Sequence, residues 1–260
     1  MSNKSKELRY RALIEKAKAS YATHDAGKRE GELRLYWCDE CQEINLWTYW
    51  QGRGCLDAKI MLVGQDWGSP WDTSSENIMR KIKAANDGID FDYMAGNDSI
   101  TDNRLAELFD SIGFDITKPC SNLFFTNFIL GYRNHGLSGG YSISWQNHDK
   151  GYFREFANII EPRVMLCLGR STFEGVLSSF DIKLKISNYN DFIESSGNPV
   201  PVTLDNGETA YIFALAHCGA MGTLNRNRGR DVSAKDLSLQ KQDWARIVPY
   251  IRAVKQVAQL

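Results

Sequence analysis

The sequence predicts an α/β fold in three layers, α/β/α, around a central and mainly parallel sheet of four strands. Two observations carry this. The runs "KIMLVG" (59–64), "LFFTNF" (123–128), "RVMLCLG" (163–169) and "AYIFALA" (210–216) are almost continuously apolar, as strands covered on both faces must be. The stretches between them, "ENIMRKIKAA", "DNRLAELFDSIG", "YFREFANII" and "STFEGVLSSF", read as helices, the second with an Asp near its start and Gly113 at its end, the last opened by Ser171. In such a fold the ligand site lies beyond the carboxyl ends of the strands.

The flanking elements follow the same logic. From the start to about Ala22, the residues Leu8, Ala12, Leu13 and Ala17 recur near helical spacing among charged residues, which predicts an amphipathic helix packed on the body. A long final helix is expected over 234–260, kinked or divided by Pro249. The Gly, Asn and Ser content of 131–150 and 187–209 predicts long surface loops. Residues 1–260 are expected to form a single domain, with 1–35 as an N-terminal helical extension and 231–260 as a C-terminal helix.

Composition narrows the class. A 43% hydrophobic content suffices for one core, while no apolar run is long enough to span a bilayer, so no membrane partner is expected. The opening residues lack the apolar stretch of a secretion signal, and a cytoplasmic monomer is the expectation. The net charge of −1 excludes a globally basic nucleic-acid binder, so any such role must rest on a local patch. "TLNRNRGR" offers one, with Arg226, Arg228 and Arg230 at alternate positions. A solvated loop is the plainer reading of the same residues. The scattered cysteines Cys38, Cys41, Cys55, Cys120, Cys167 and Cys218 do not resemble a disulfide framework.

Placing the strands brings their polar ends to one rim: Gln65 and Asp66 after the first, Asn127 at the end of the second, His217 after the fourth. A carboxylate, an amide and an imidazole are the groups needed to hydrolyse a bond whose leaving group is an anion. Taken singly, Asp66 also suits a helix cap, and His217 a strand-end histidine satisfied by a backbone carbonyl. Asn127 within an aromatic strand must find partners for several donor and acceptor sites, and a ligand supplies them.

The motifs "VGQDWG", "LFFTNFILGYR", "EPRVMLCLGRSTFEGVL" and "AHCGAMG", in this order over about residues 36–222, resemble the uracil-DNA glycosylase superfamily. The resemblance implies an enzyme that hydrolyses the N-glycosidic bond of an extruded pyrimidine and leaves an abasic site, without a Schiff base. Asp66 would then orient or deprotonate the water and stabilise the sugar cation, and neutral His217 would donate to the base O2 as it gains charge. Asn127 would read the Watson–Crick edge, with Gln65, Trp67, Gly68 and Trp71 around the base. DNA is the implied partner, with Met221 or Leu224 as an apolar wedge and Arg226, Arg228 and Arg230 on phosphates.

The sequence departs from the family in two places. Gly68 stands where one branch has the Tyr that excludes C5 substituents, so the resemblance implies as the base uracil or a C5-modified pyrimidine, with removal of the hypermodified cytosine of phage DNA as antiviral defence the alternative. A catalytically silent DNA-binding protein of the same fold is the alternative from another class. Trp71, Phe91 and Tyr93 are candidates for the stacking aromatic. Cys38 and Cys41 resemble half of the four-cysteine iron–sulfur site of another branch, whose remaining positions fall near Gly131 and Tyr152. No cofactor is expected, with a cluster or zinc at Cys38 and Cys41 as the alternative reading.

Overall fold

Each of the four apolar runs forms a strand at the position its pattern predicts. The structure is a computed structural model, and it describes residues 3–24, 35–36, 56–66, 99–116, 122–133 and 141–257. Along the chain these are α1 (Asn3–His24), β1 (Leu35–Tyr36), β2 (Ile60–Gly64), α2 (Ile100–Asp110), β3 (Leu123–Asn127) and β4 (Tyr132–Arg133). There follow α3 (Ile143–Ile160), β5 (Val164–Leu168), α4 (Arg170–Ser179), α5 (Tyr189–Glu194), β6 (Val200–Thr203) and β7 (Thr209–Leu215). The chain closes with α6 (Ala220–Asn227), α7 (Ser238–Ala245) and α8 (Val248–Val257). The helix expected from "ENIMRKIKAA" lies outside the described residues.

The sheet has five strands in the order β3-β2-β5-β7-β6, and all pairings are parallel except that of β6 with β7. Four expected strands thus become five. The added strand, β6, lies inside the stretch 187–209 whose Gly, Asn and Ser content reads as a loop, and its "NPVPVT" carries two prolines. Proline cannot donate to a ladder and is tolerated at a sheet edge, which is where β6 sits. Its hairpin to β7 turns at Gly207, whose φ of +85° suits glycine.

Side-chain alternation along the strands divides the core in two. Met61, Val63, Phe124, Met165, Cys167, Ile212 and Ala214 face a cluster with α1, α3 and α4. Ile60, Leu62, Phe125, Leu166, Phe213 and Leu215 face a second cluster with α2, α7 and α8. The sheet is therefore covered on both faces, which is why its strands lack polar alternation. Each large apolar side chain so buried contributes on the order of 2 kcal/mol.

Helix boundaries follow local chemistry. Ser99 caps α2 by accepting from Asp102 N–H at 3.3 Å, and Ser142 caps α3 by accepting from Trp145 N–H at 3.3 Å. The latter cap starts α3 at Ile143, so 143–150 is helix and not the surface loop its composition suggests. The expected long C-terminal helix is divided at Arg246 and Ile247, and Pro249 occupies the first turn of α8, where an N–H has no intrahelical partner. In α1 the buried stripe is Tyr10, Leu13, Ile14, Ala17 and Tyr21, while Leu8 is 66% exposed and Ala12 faces solvent. Because that stripe shares a core with β2 and β3, α1 is built into one helical layer.

A polar knot joins this layer to the rim. Asp149 of α3 is fully buried. One carboxylate oxygen accepts from the Tyr21 hydroxyl of α1 and from Leu130 N–H at 2.8 Å, the other lies against His148 Nδ1, and Ser20 Oγ meets His148 Nε2 at 2.8 Å. The Tyr21 oxygen in turn accepts from Gly131 N–H at 2.8 Å. Two helices thereby hold the backbone that leaves β3. Asp149→Ala should strip Leu130 N–H and the Tyr21 hydroxyl of their acceptor and cost about 3 kcal/mol. Urea unfolding checks this, and a loss below about 1 kcal/mol would contradict the bonding described.

Candidate active site

Four adjacent parallel strands, β3, β2, β5 and β7, end at one rim, and each delivers a polar or glycine residue there. Strands about 4.8 Å apart place the ends of β3 and β7 roughly 14 Å from each other, enough for a nucleoside once side chains reach inward. Asn127 closes β3, Gln65 and Asp66 follow β2, Gly169 follows β5 and His217 follows β7.

The register pairs Gly64 with Asn127. A Cβ at Gly64 would stand 2.1 Å from Asn127 Oδ1, so only glycine leaves room for the carboxamide to lie across the end of β2. Asn127 is 3% exposed, and among the described residues no group hydrogen-bonds its side chain. Beyond the strands the ladder runs on: Phe128 N–H donates to Gly64 O at 2.9 Å and Ile129 N–H to Gln65 O at 3.0 Å. Those bonds fix the turn that carries Asp66. The Asp66 carboxylate is half-buried, with Gln65 Nε2 at 3.4 Å from its Oδ1.

His217 is held from several sides. Gly219 N–H donates to its Nδ1 at 2.9 Å, which leaves the ring proton on Nε2 and makes that atom the donor. Burial lowers its pKa below the ordinary histidine range, favouring the neutral ring. Gln240 of α7 donates to the carbonyls of Ala216 and His217 at 3.4 and 3.3 Å. Gly169 has φ of +94° and lies 3.8 Å, measured from a built Cβ, from His217 Cβ. A Cβ at Gly222 would stand 2.1 Å from His217 O. The loop therefore closes on its own histidine.

An aromatic that the sequence pattern did not single out completes the rim. Tyr141 stacks at a tilt on Phe128 with centroids 5.6 Å apart, and its hydroxyl donates to Ser171 O. Burial raises the phenol pKa, and the nearby carboxylates of Glu174 and Asp66 add to the rise. Gly175 makes this seat possible, since a Cβ there would meet the Tyr141 hydroxyl at 2.4 Å. Tyr189 donates to Leu215 O at 3.1 Å on the same rim. Tyr141 stands in a glycine-containing stretch ahead of α3, which is the only signal the sequence offered, while Tyr189 opens α5 with no such signal. Trp67, Gly68, Trp71, Phe91 and Tyr93, and Cys38, Cys41, Cys55 and Cys120, lie outside the described residues.

The arginine series divides. Arg226 is 2% exposed, with Nε 2.7 Å from Asp243 Oδ2 and Nη2 2.8 Å from both Asp243 Oδ1 and Glu194 Oε1. It cannot serve a phosphate in this position. Its alternate spacing with Arg228 implied an extended loop, but residue 226 lies inside α6, where Thr223, Arg226 and Asn227 share the buried face. Arg230 pairs with Glu194 at 3.0 Å, and Arg228 is exposed. Met221 is 63% exposed in the first turn of α6, and Leu224 is half-buried. Among the described residues no group of three or more His, Cys, Asp or Glu is placed to hold a metal, and Gly131 and Tyr152 supply no thiolate.

Two glycines make the geometry testable. Gly222→Ala meets backbone and should cost about 2 kcal/mol or more in thermal unfolding. Gly64→Ala meets only the end of a side chain, so stability should change by less than about 1 kcal/mol while the Asn127 side-chain amide signals shift in NMR spectra. Unmoved Asn127 signals would contradict the contact. No protein-family model matches the chain, and no curated protein matches it at a significant level.

Proposed function

We propose that this chain is a monofunctional DNA glycosylase that hydrolyses the N-glycosidic bond of an extruded pyrimidine, uracil or a C5-modified pyrimidine. The observation that carries this reading is Asn127: a carboxamide almost fully buried, without a hydrogen-bonding partner among the described residues, and given its space by Gly64. The edge of a pyrimidine would satisfy both its donor and its acceptor.

The remaining roles follow from the geometry. Breaking the bond builds positive charge on the sugar and negative charge on the base O2. The half-buried Asp66 carboxylate would orient or deprotonate water and stabilise the sugar cation. His217, donating through Nε2, would bond O2 more strongly as its charge grows, which lowers the barrier. Tyr141 offers a ring beside this site on which the base can stack. Exposed Met221 next to the His217 loop suits the apolar wedge that occupies the place of an extruded base.

The catalytic test uses oligonucleotides carrying uracil, 5-hydroxymethylcytosine or glucosylated cytosine, followed by alkaline cleavage of abasic sites. Asp66→Asn should lower the rate by about 100-fold or more with DNA binding retained. Absence of strand cleavage on every substrate would leave the silent DNA-binding reading in its place.

The pH dependence has a definite sign. Because burial lowers the pKa of His217, the neutral ring persists at and below the ordinary value of about 6.5. Its contribution to stability is full above that value and is lost as pH falls through the lower folded pKa. Protonation would also turn Nδ1 into a donor facing Gly219 N–H. The rate should therefore stay level from about pH 8 to 6.5 and fall only below it, with the His217 ring signals titrating below 6.5 in NMR spectra. A midpoint above 6.5 would contradict the assignment.

A further inference from the structure

The loss of Arg226 to an internal ion pair leaves the rim short of cations, and a cavity beside the His217 loop makes up for it. This cavity, of about 310 Å³, lies between α2 and the start of α7 and is lined by Arg104, Glu107, Lys235, Asp236, Ser238 and Lys241. Three cations face two carboxylates here, in a chain whose net charge is −1. Both carboxylates are engaged. Glu107 pairs with Lys241 at 2.6 Å, and Asp236 Oδ1 accepts from Ser238 N–H at 2.7 Å. Lys235 is exposed and has no acidic partner among the described residues, and neither does Arg104.

Arg104 is also fixed in place. Its Nη1 donates to Thr223 Oγ1 at 3.1 Å, and that hydroxyl donates to Gly219 O at 3.3 Å. Gly219 is the residue whose N–H bonds His217 Nδ1. Three hydrogen bonds therefore connect the guanidinium to the imidazole, and the Arg104 so anchored lines the cavity. On the far wall, Asn227 Nδ2 donates to the Asp236 and Ser233 carbonyls at 2.8 Å, which holds the segment bearing Lys235. Ser238 and Lys241 in the first turn of α7 also line the cavity, with the Ser238 N–H already bonded to Asp236.

We propose that the Arg104–Lys235 cavity is a phosphoryl-binding site, which takes a backbone phosphate of the strand whose base lies at His217. A planar guanidinium, a flexible ammonium and a hydroxyl suit a tetrahedral dianion or phosphodiester better than a carboxylate. Only the identification of the phosphate with a DNA strand rests on the glycosylase reading.

Two measurements test it on the full chain. In the first, inorganic phosphate is titrated into labelled protein at constant ionic strength. The Ser238 and Thr223 amide signals should move saturably, and should not move in Arg104→Gln/Lys235→Gln. The exposed Lys235→Gln alone, expected to fold as the parent does, should weaken the effect. Signals that do not saturate, or that move equally in the variants, overturn the site. In the second, oligonucleotide affinity is followed against salt. The double variant should lose about 0.9 in the slope of log affinity against log salt for each duplex phosphate contact removed, about equally for all base sequences. Lys183→Gln, on the exposed loop after α4, should leave the slope unchanged. An unchanged slope in the double variant, with phosphate binding lost, would overturn the strand assignment and point to a free phosphate or nucleotide. A wild type that binds phosphate here and releases no base would sink the glycosylase reading while leaving this site standing.

Discussion

The candidate site depends on one register, that of Gly64 of β2 against Asn127 of β3. A parallel sheet fixes this pairing over its whole length, from Ile60 opposite Leu123 onward, because a one-residue slip would turn every buried strand side chain to the other face. With both faces packed into separate cores, the cost of that slip is large. The sheet thereby sets the Asn127 carboxamide beside a residue that has no side chain, and the continuing bonds from Phe128 and Ile129 set the direction in which Asp66 leaves. Precision at the rim is inherited from apolar packing several residues away.

Several polar residues that look available for chemistry are used instead to hold the rim. Asp149 and His148 tie α1 and α3 to the backbone after Asn127. Arg226 and Asp243 join α6 to α7, and α7 in turn supplies Gln240 to the carbonyls at His217. A buried ion pair of this kind adds little net stability, since desolvation offsets most of the attraction, yet removing one partner is costly. Its effect is to specify one position for α6 and hence for Met221 and the His217 loop. Both knots sit one layer behind the rim, where a rigid support matters more than a reactive group.

The sequence made the sheet legible and its edges obscure. Four strands could be placed because continuous apolar runs have a single physical cause, burial on both faces. β6 was missed because the Gly, Asn and Ser around it read as loop and its prolines suit a strand only at an edge, and edge position is a tertiary fact. The start of α3 was missed because "SGGYSISWQNHDK" is polar in composition, although Ser142 is an ordinary cap. At the site, Asp66, Asn127 and His217 were found by their place at strand ends. Tyr141, Gln240 and Arg104 were not, because each reaches the rim from a helix or loop whose packing no local pattern encodes. Arg226 shows the converse: a striped spacing suggests a surface, and the helical face it occupies points inward.

On the proposed reading, a chain of net charge −1 would need an asymmetric field to approach a polyanion, and helix ends can supply one without excess basic residues. Because each helix packed on a parallel sheet runs opposite to its strands, α2, α3, α4 and α6 all turn their N-termini to the rim. The Thr101 hydroxyl near Gly219 and the Tyr141 bond to Ser171 mark three of these ends as neighbours of the site. Each end carries the equivalent of roughly half a positive charge, effective within about a turn. Burial lowers the His217 pKa and so keeps the ring in its neutral, donor form, while on the proposed reading the helix ends would favour a phosphate.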